Sequence, residues 1–150
     1  MTPGRLAPVR AAARTDATGA MWRLRSLVAM GHDCARIARA LHAHPALVRR
    51  IVRGQARTVT CPFRAACCQV WDAWWDKTPP RRTPAERRAA ARALRQAKSR
   101  DWPAAAGLDE DLLDEPGYRP WSQYRPATGT GTALDFPPAR PRPIRTKETA

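Results

Sequence analysis

The sequence predicts an all-α protein: a helix-turn-helix bundle of about four helices, with an extra Ala/Arg-rich helix and disordered termini. Three observations carry this expectation. Apolar residues recur at helical spacing between residues 20 and 77. Within that span, Cys34 to Gly54, CARIARALHAHPALVRRIVRG, holds two such patterns separated by a short corner. Further on, Thr83-Pro84-Ala85-Glu86 reads as a helix start, with Thr and Glu forming a capping box and Pro at the first helical position.

Taken in order, residues 1–19 carry Pro, Gly, Thr and scattered Arg without a period, and are expected to form a flexible basic arm. Residues 20–77 form the expected helix-turn-helix domain with its tryptophan-rich helix. Its first helix, Ala20 to Gly31, turns Met21, Leu24, Leu27 and Val28 to one side, with Trp22 beside them and Gly31 as C-cap. Arg23 and Arg25 then face outward, placed to touch a DNA backbone. Asp33 caps the next helix, whose Ile37, Ala38 and Leu41 share a face. Pro45 suits the first turn of the helix after the corner, on which Val48, Ile51 and Val52 form the inner face. Ala38 is small where the two helices cross, and Ala43 plugs the turn. This is the pattern of a helix-turn-helix, whose second helix enters the major groove.

The residues left on the outer face of that second helix are His44, Ala46, Leu47, Arg49, Arg50 and Arg53. Arginines grip phosphates or fork onto guanine, and small apolar groups meet thymine methyls. Arg36, Arg39 and Arg57 are expected to hold phosphates nearby. The plainer alternative is a solvated basic face on an ordinary helical hairpin.

Beyond Gly54, Thr58-Val59-Thr60 is expected to be extended. A helix from about Pro62 to Lys77 follows, capped by Thr60 or Cys61, with Phe63, Ala66, Cys67, Val70, Trp71 and Trp74 as its stripe. Trp71, Trp74 and Trp75 are a large hydrophobic load, divided between core and a possible dimer or partner seam. Residues 78–116 then read as a rigid TPPRRT linker, an Ala/Arg helix with an Ala/Leu94 seam, and an acidic segment. That segment, Leu108 to Glu115, has five acids in eight residues. It is expected either to fold back on Arg81, Arg82, Arg87 or Arg88 or to meet a partner. Residues 117–150 are expected to be a disordered Pro-rich basic tail.

The formal net charge is +14, the footprint of a nucleic-acid binder. Arg far outnumbers Lys and Ala is abundant, usage that a GC-rich genome imposes by itself, so the placement of charge carries more than its total. From Asp33 to Arg57 there are six arginines and one acid. No apolar run approaches the ~18 residues of a membrane span, and the N-terminus lacks the apolar core of a secretion signal. The expected location is cytoplasmic and nucleoid-associated, with the cysteines as reduced thiols. Cys61, Cys67 and Cys68 make no Cys-x-x-Cys pair, so no metal is expected. No phosphate loop, nucleophile elbow or His-Glu-x-x-His is present, so neither catalysis nor a cofactor is expected.

Three blocks in order, LVAMGHDCARIARALHAHPALVRRIVRG, VTCPFRAACCQVWDAWWDKTPP and TPAERRAAARALRQAKSRDWPAAAGLDEDLLDEP, resemble small helix-turn-helix DNA-binding proteins of actinobacteria and actinobacteriophages. That group usually has Gly where this chain has His42, Ser or Thr where it has His44, and Gly where it has Asp101. The resemblance implies double-stranded DNA binding and gene regulation, and a repressor-like homodimer is expected because most helix-turn-helix modules act as dimers on paired half-sites. It also implies a left-handed backbone at His42, which costs a non-glycine residue ~1–2 kcal/mol. Two rival expectations are a protein–protein interaction module built on the tryptophan helix and acidic segment, and a DNA-binding accessory of a recombination complex.

Overall fold

The computed structural model describes residues 11–120. In chain order the elements are β1 (Arg14–Asp16), α1 (Thr18–Ala29), α2 (Cys34–Leu41), α3 (Pro45–Val52), β2 (Thr58–Thr60), α4 (Cys61–Trp74) and α5 (Pro84–Ser99), followed by a 3-10 turn at Ala105–Gly107. The protein is mostly helical, in keeping with an all-α class, with one small two-stranded sheet.

The centre is α1. Leu24 and Leu27 are fully buried and Val28 and Trp22 nearly so, and this helix packs against α3, α4 and α5. The core continues without a break from Ala17 to Leu113, so residues 78–116 belong to the same packed unit as residues 20–77. Trp71 of α4 is buried and donates its indole N–H to Ser26 Oγ at 2.9 Å. Ser26 in turn donates to the Arg23 carbonyl, so the polar atoms that α1 takes into the core are paired.

The expected basic arm is corrected over its last residues. Arg14, Thr15 and Asp16 pair antiparallel with Thr60, Val59 and Thr58. Buried Val59 anchors the pair, and Arg14 donates to both the hydroxyl and the carbonyl of Thr58 at 2.9 Å. Residues 1–10 of that arm lie outside the described residues. So does the expected tail from residue 121, but its first part is folded: Tyr118 accepts a bond from Trp22 Nε1 through its carbonyl (2.8 Å), and its hydroxyl accepts one from the Asp109 amide (2.9 Å).

On α5 the capping box forms as expected, Thr83 and Glu86 each accepting the other's backbone N–H. Two amide donors, from Thr83 and Arg82, hold the Glu86 carboxyl below its usual range. The seam, however, consists of Ala90, Ala93 and Ala97, all buried, while Leu94 is exposed. Alanines let α5 lie close along α1, and a leucine at the same distance would have to be displaced.

The acidic segment also differs from expectation. It folds back, but onto Arg23 and Arg64 rather than onto Arg81, Arg82, Arg87 or Arg88. Asp114 takes a forked pair of bonds from Arg23 (2.6 and 3.1 Å) and a third interaction from Arg64 (3.0 Å). Leu108 and Leu113, on either side of the exposed acids, are fully buried, and it is this burial that fixes the segment in place. Gly19, against which Asp114 rests, leaves room for the carboxylate that a Cβ would occupy.

The hydrogen bond from Arg23, aided by Arg64, holds the Asp114 carboxyl below its ordinary 3.8. A depressed carboxyl stabilises the fold above its unfolded pKa and loses that contribution as pH falls through the folded value. Asp114→Asn is therefore expected to lower stability by about 1 kcal/mol at neutral pH, with the difference from wild type vanishing in acid. Urea unfolding at pH 7 and pH 3 measures both.

Candidate nucleic-acid interface

Three of the first helices end in one way. At α1, α2 and α3 a residue with positive φ follows the last turn: Gly31 (101°), His42 (51°) and Gly54 (77°). At each, the amide of the next residue reaches back to the carbonyl five before it: His32 to Leu27 (3.0 Å), Ala43 to Ala38 (3.0 Å) and Gln55 to Arg50 (3.0 Å). This is the Schellman termination. His42 fills a place that glycine occupies in the other two, and the left-handed backbone expected at His42 is present.

The corner ends at α3, whose N-cap is His44. Its Nδ1 accepts the Ala46 amide at 3.1 Å, so a histidine does the capping that a hydroxyl usually does. Pro45 follows at the first helical position. Val48, Ile51 and Val52 are buried. The far end of α3 is held by Arg25, whose Nε donates to the Val52 carbonyl at 2.7 Å while its guanidinium lies over Trp22 (4.5 Å) and Trp102 (5.0 Å). Burial under the two rings, with the nearby Arg100 charge, brings the Arg25 guanidinium down to about 10, still cationic at neutral pH.

The outer face of α3 is open. His44, Ala46, Leu47, Arg49, Arg50 and Arg53 line it; Leu47 is exposed to 40 % and all three arginines are exposed. Arg57, after α3, and Arg39, on α2, are exposed as well. Among the described residues no carboxylate is within ion-pair distance of Arg39, Arg49, Arg50, Arg53 or Arg57. Asp33, the one acid of this stretch, is turned onto the Arg36 amide as the cap of α2.

Three arginines that the sequence points outward are instead engaged within the fold. Arg23 holds Asp114, and Arg25 is sandwiched as described. Arg36 donates Nε to His32 Nδ1 at 3.2 Å and covers Trp74 at 4.7 Å. His32 also stacks on Trp74, with ring centroids 4.8 Å apart, and its Nε2 bonds the Lys77 carbonyl at 2.8 Å. Trp74 is thus covered on the α2 side, Trp71 is in the core and Trp75 packs half-buried against it. Their apolar load is largely consumed internally. Burial pushes the Cys67 thiol up to about 12 and raises that of Cys34, which leaves both as inert thiols at neutral pH. Among the described residues no three His, Cys, Asp or Glu side chains converge as a metal site would require.

Sequence reasoning missed one neighbour of this surface. A cleft of about 290 Å³ between α2 and α5 is lined by Arg39 from α2 and Arg92 from α5. No family model, curated protein or solved structure matches this chain. The fold and site define its class only as a mostly helical protein with an arginine face that meets no carboxylate among the described residues.

Two outcomes follow from the turns at either end of α2. Replacing His42 by Gly is expected to remove the left-handed penalty and stabilise the protein by about 1 kcal/mol, read as a higher denaturant midpoint at unchanged slope. Burial holds His32 below its ordinary 6.5, partly offset by its bond to Lys77. Acid therefore protonates the unfolded chain first, and stability should decline as pH drops through about 6.5 and below. His32→Gln should lower the thermal midpoint at pH 7.5 but flatten its decline between pH 7.5 and 5.

Proposed function

We propose that this protein binds double-stranded DNA sequence-specifically through α2 and α3 used as a helix-turn-helix, and acts as a transcriptional regulator of the repressor kind. The single observation that carries the reading is α3 itself: one side wholly buried, the other side exposed and lined with Arg49, Arg50 and Arg53, none of them paired with a carboxylate among the described residues. A helix with its side chains is about 10–12 Å across, and the major groove is about 12 Å wide. Ala46 and Leu47 lie at the leading end, where thymine methyls are met. Arg49, Arg50 and Arg53 follow at helical spacing for guanine edges or phosphates, and Arg39 and Arg57 flank them for the backbone. His44 sets the start of the helix and presents the remainder of its ring to the same side. Arg36, already bonded to His32, is left out of the interface.

Occupancy of a promoter site blocks or recruits polymerase, and nucleoid association follows from the same surface. The interaction-module alternative is disfavoured by the internal use of Trp71, Trp74 and Asp114. A homodimer on paired half-sites is part of the proposal, since single short recognition helices gain specificity that way.

Selection of bound sequences from random duplexes tests the reading. A consensus containing guanines is expected, palindromic if the dimer is correct. Arg49→Ala and Arg50→Ala should each cost ~1–3 kcal/mol at a base-reading position and relax the preference there. Recovery of no consensus, or unchanged affinity in both variants, overturns the proposal.

A further inference from the structure

The outer face of α5 stands without a partner among the described residues. Arg88, Arg92 and Arg95 are spaced i, i+4, i+7 and are all exposed, on the side opposite the buried Ala90, Ala93 and Ala97. Arg87 and Lys98 are exposed on its flank. The only acid in the helix is Glu86, and it is turned back onto the amides of Arg82 and Thr83. No carboxylate among the described residues pairs with Arg88, Arg92 or Arg95. Like charges at these spacings weaken a helix by ~0.2–0.5 kcal/mol per pair, so the stripe is unfavourable unless an anion meets it.

Its position relative to α2 says which anion. The cleft of about 290 Å³ has Arg39 on one wall and Arg92 on the other, and both of its carboxylates, Asp33 and Glu86, are committed as helix caps. Arg39 is one of the flanking phosphate ligands of the α3 site. Arg39, exposed on the helix that leads into α3, thus faces the α5 stripe across this cleft through Arg92. Along α5 these side chains step about 6 and 4.5 Å along the helix axis, a rigid row of cations set against a strand that carries one charge per ~3.4 Å.

We propose that α5 is a second, sequence-independent point of attachment to the DNA, in which Arg88, Arg92 and Arg95, joined by Arg39 across the cleft, hold the sugar–phosphate backbone beyond the stretch read by α3. This rests on the α3 reading, and it makes α5 a backbone clamp that adds affinity without adding sequence preference.

The test uses the full chain, fluorescence anisotropy, and two duplexes, one carrying the selected consensus and one of random sequence, over a series of salt concentrations. In Arg88→Ala/Arg92→Ala/Arg95→Ala, affinity should fall to the same degree on both duplexes. The slope of log affinity against log salt should become shallower by about 0.9 for each phosphate no longer neutralised, hence by about 2 to 3. Exposed Arg-to-Ala changes favour helix, so the thermal midpoint should hold or rise, which separates weakened binding from a damaged fold. Arg88→Lys/Arg92→Lys/Arg95→Lys should keep most of the slope. An unchanged slope in the alanine variant overturns the clamp while leaving the α3 reading in place, and so does a variant that loses only its preference for the consensus. If the wild type binds neither duplex at low salt, both fall together.

Discussion

Leu24, Leu27 and Val28 hold the molecule together from inside α1. Each stabilises the fold by roughly 1.5–3 kcal/mol through burial, and because α1 packs against α3, α4 and α5, their loss would release three helices at once. This matters most for α3. Eight residues are too few to stay helical alone in water, so its shape and its aim are imposed from outside: by α1 below it, by the His44 cap at one end and by Arg25 at the other. A side chain that reads a groove has to be held on a rigid element. Here the rigidity comes from tertiary packing rather than from the helix's own propensity.

The arginines divide into two populations that composition does not distinguish. Arg23, Arg25 and Arg36 are structural: they meet Asp114, a pair of tryptophans, and His32 with Trp74. Arg39, Arg49, Arg50 and Arg53 carry the same charge and meet no carboxylate among the described residues. What separates them is the supply of aromatic rings and carboxylates brought from distant parts of the chain. Two of those meetings are short in sequence: Trp22 and Arg25 are three apart on a single helix, which makes them neighbours on its surface, and His32 precedes Arg36 by four. Trp102, Trp74 and Asp114 arrive by folding, and their targets were not readable from spacing.

The same distinction explains how far the fold was legible. The buried faces of α2 and α3 were readable, because periodicity, Asp33 and Pro45 are short-range features, whereas the engagement of Arg36 by His32 and Trp74 was not. The capping box of α5 was readable for the same reason. What stayed hidden depended on partners. β1 is three residues long and has no period of its own, so it exists only because Val59 gives it something to pair beside. Leu94 drew attention as the one large apolar residue in α5, yet a close approach to α1 selects alanine. The acidic segment found arginines as expected, but which arginines was decided by the burial of Leu108 and Leu113.

His42 shows how the fold tolerates an unfavourable local choice. A left-handed residue other than glycine costs ~1–2 kcal/mol. The corner forms regardless because Ile37 and Leu41 on one side of it and Val48 and Ile51 on the other are all buried, and the core they fill leaves one way for the chain to turn. Asp101 takes a left-handed backbone after α5 in a similar setting, beside buried Ala97 and Trp102. His42 ends the helix that carries exposed Arg39, and Asp101 follows the one that carries exposed Arg88, Arg92 and Arg95. In each case packing rather than the turn residue fixes where those arginines are presented, so the geometry of the basic surface does not depend on the glycine that the turn would favour.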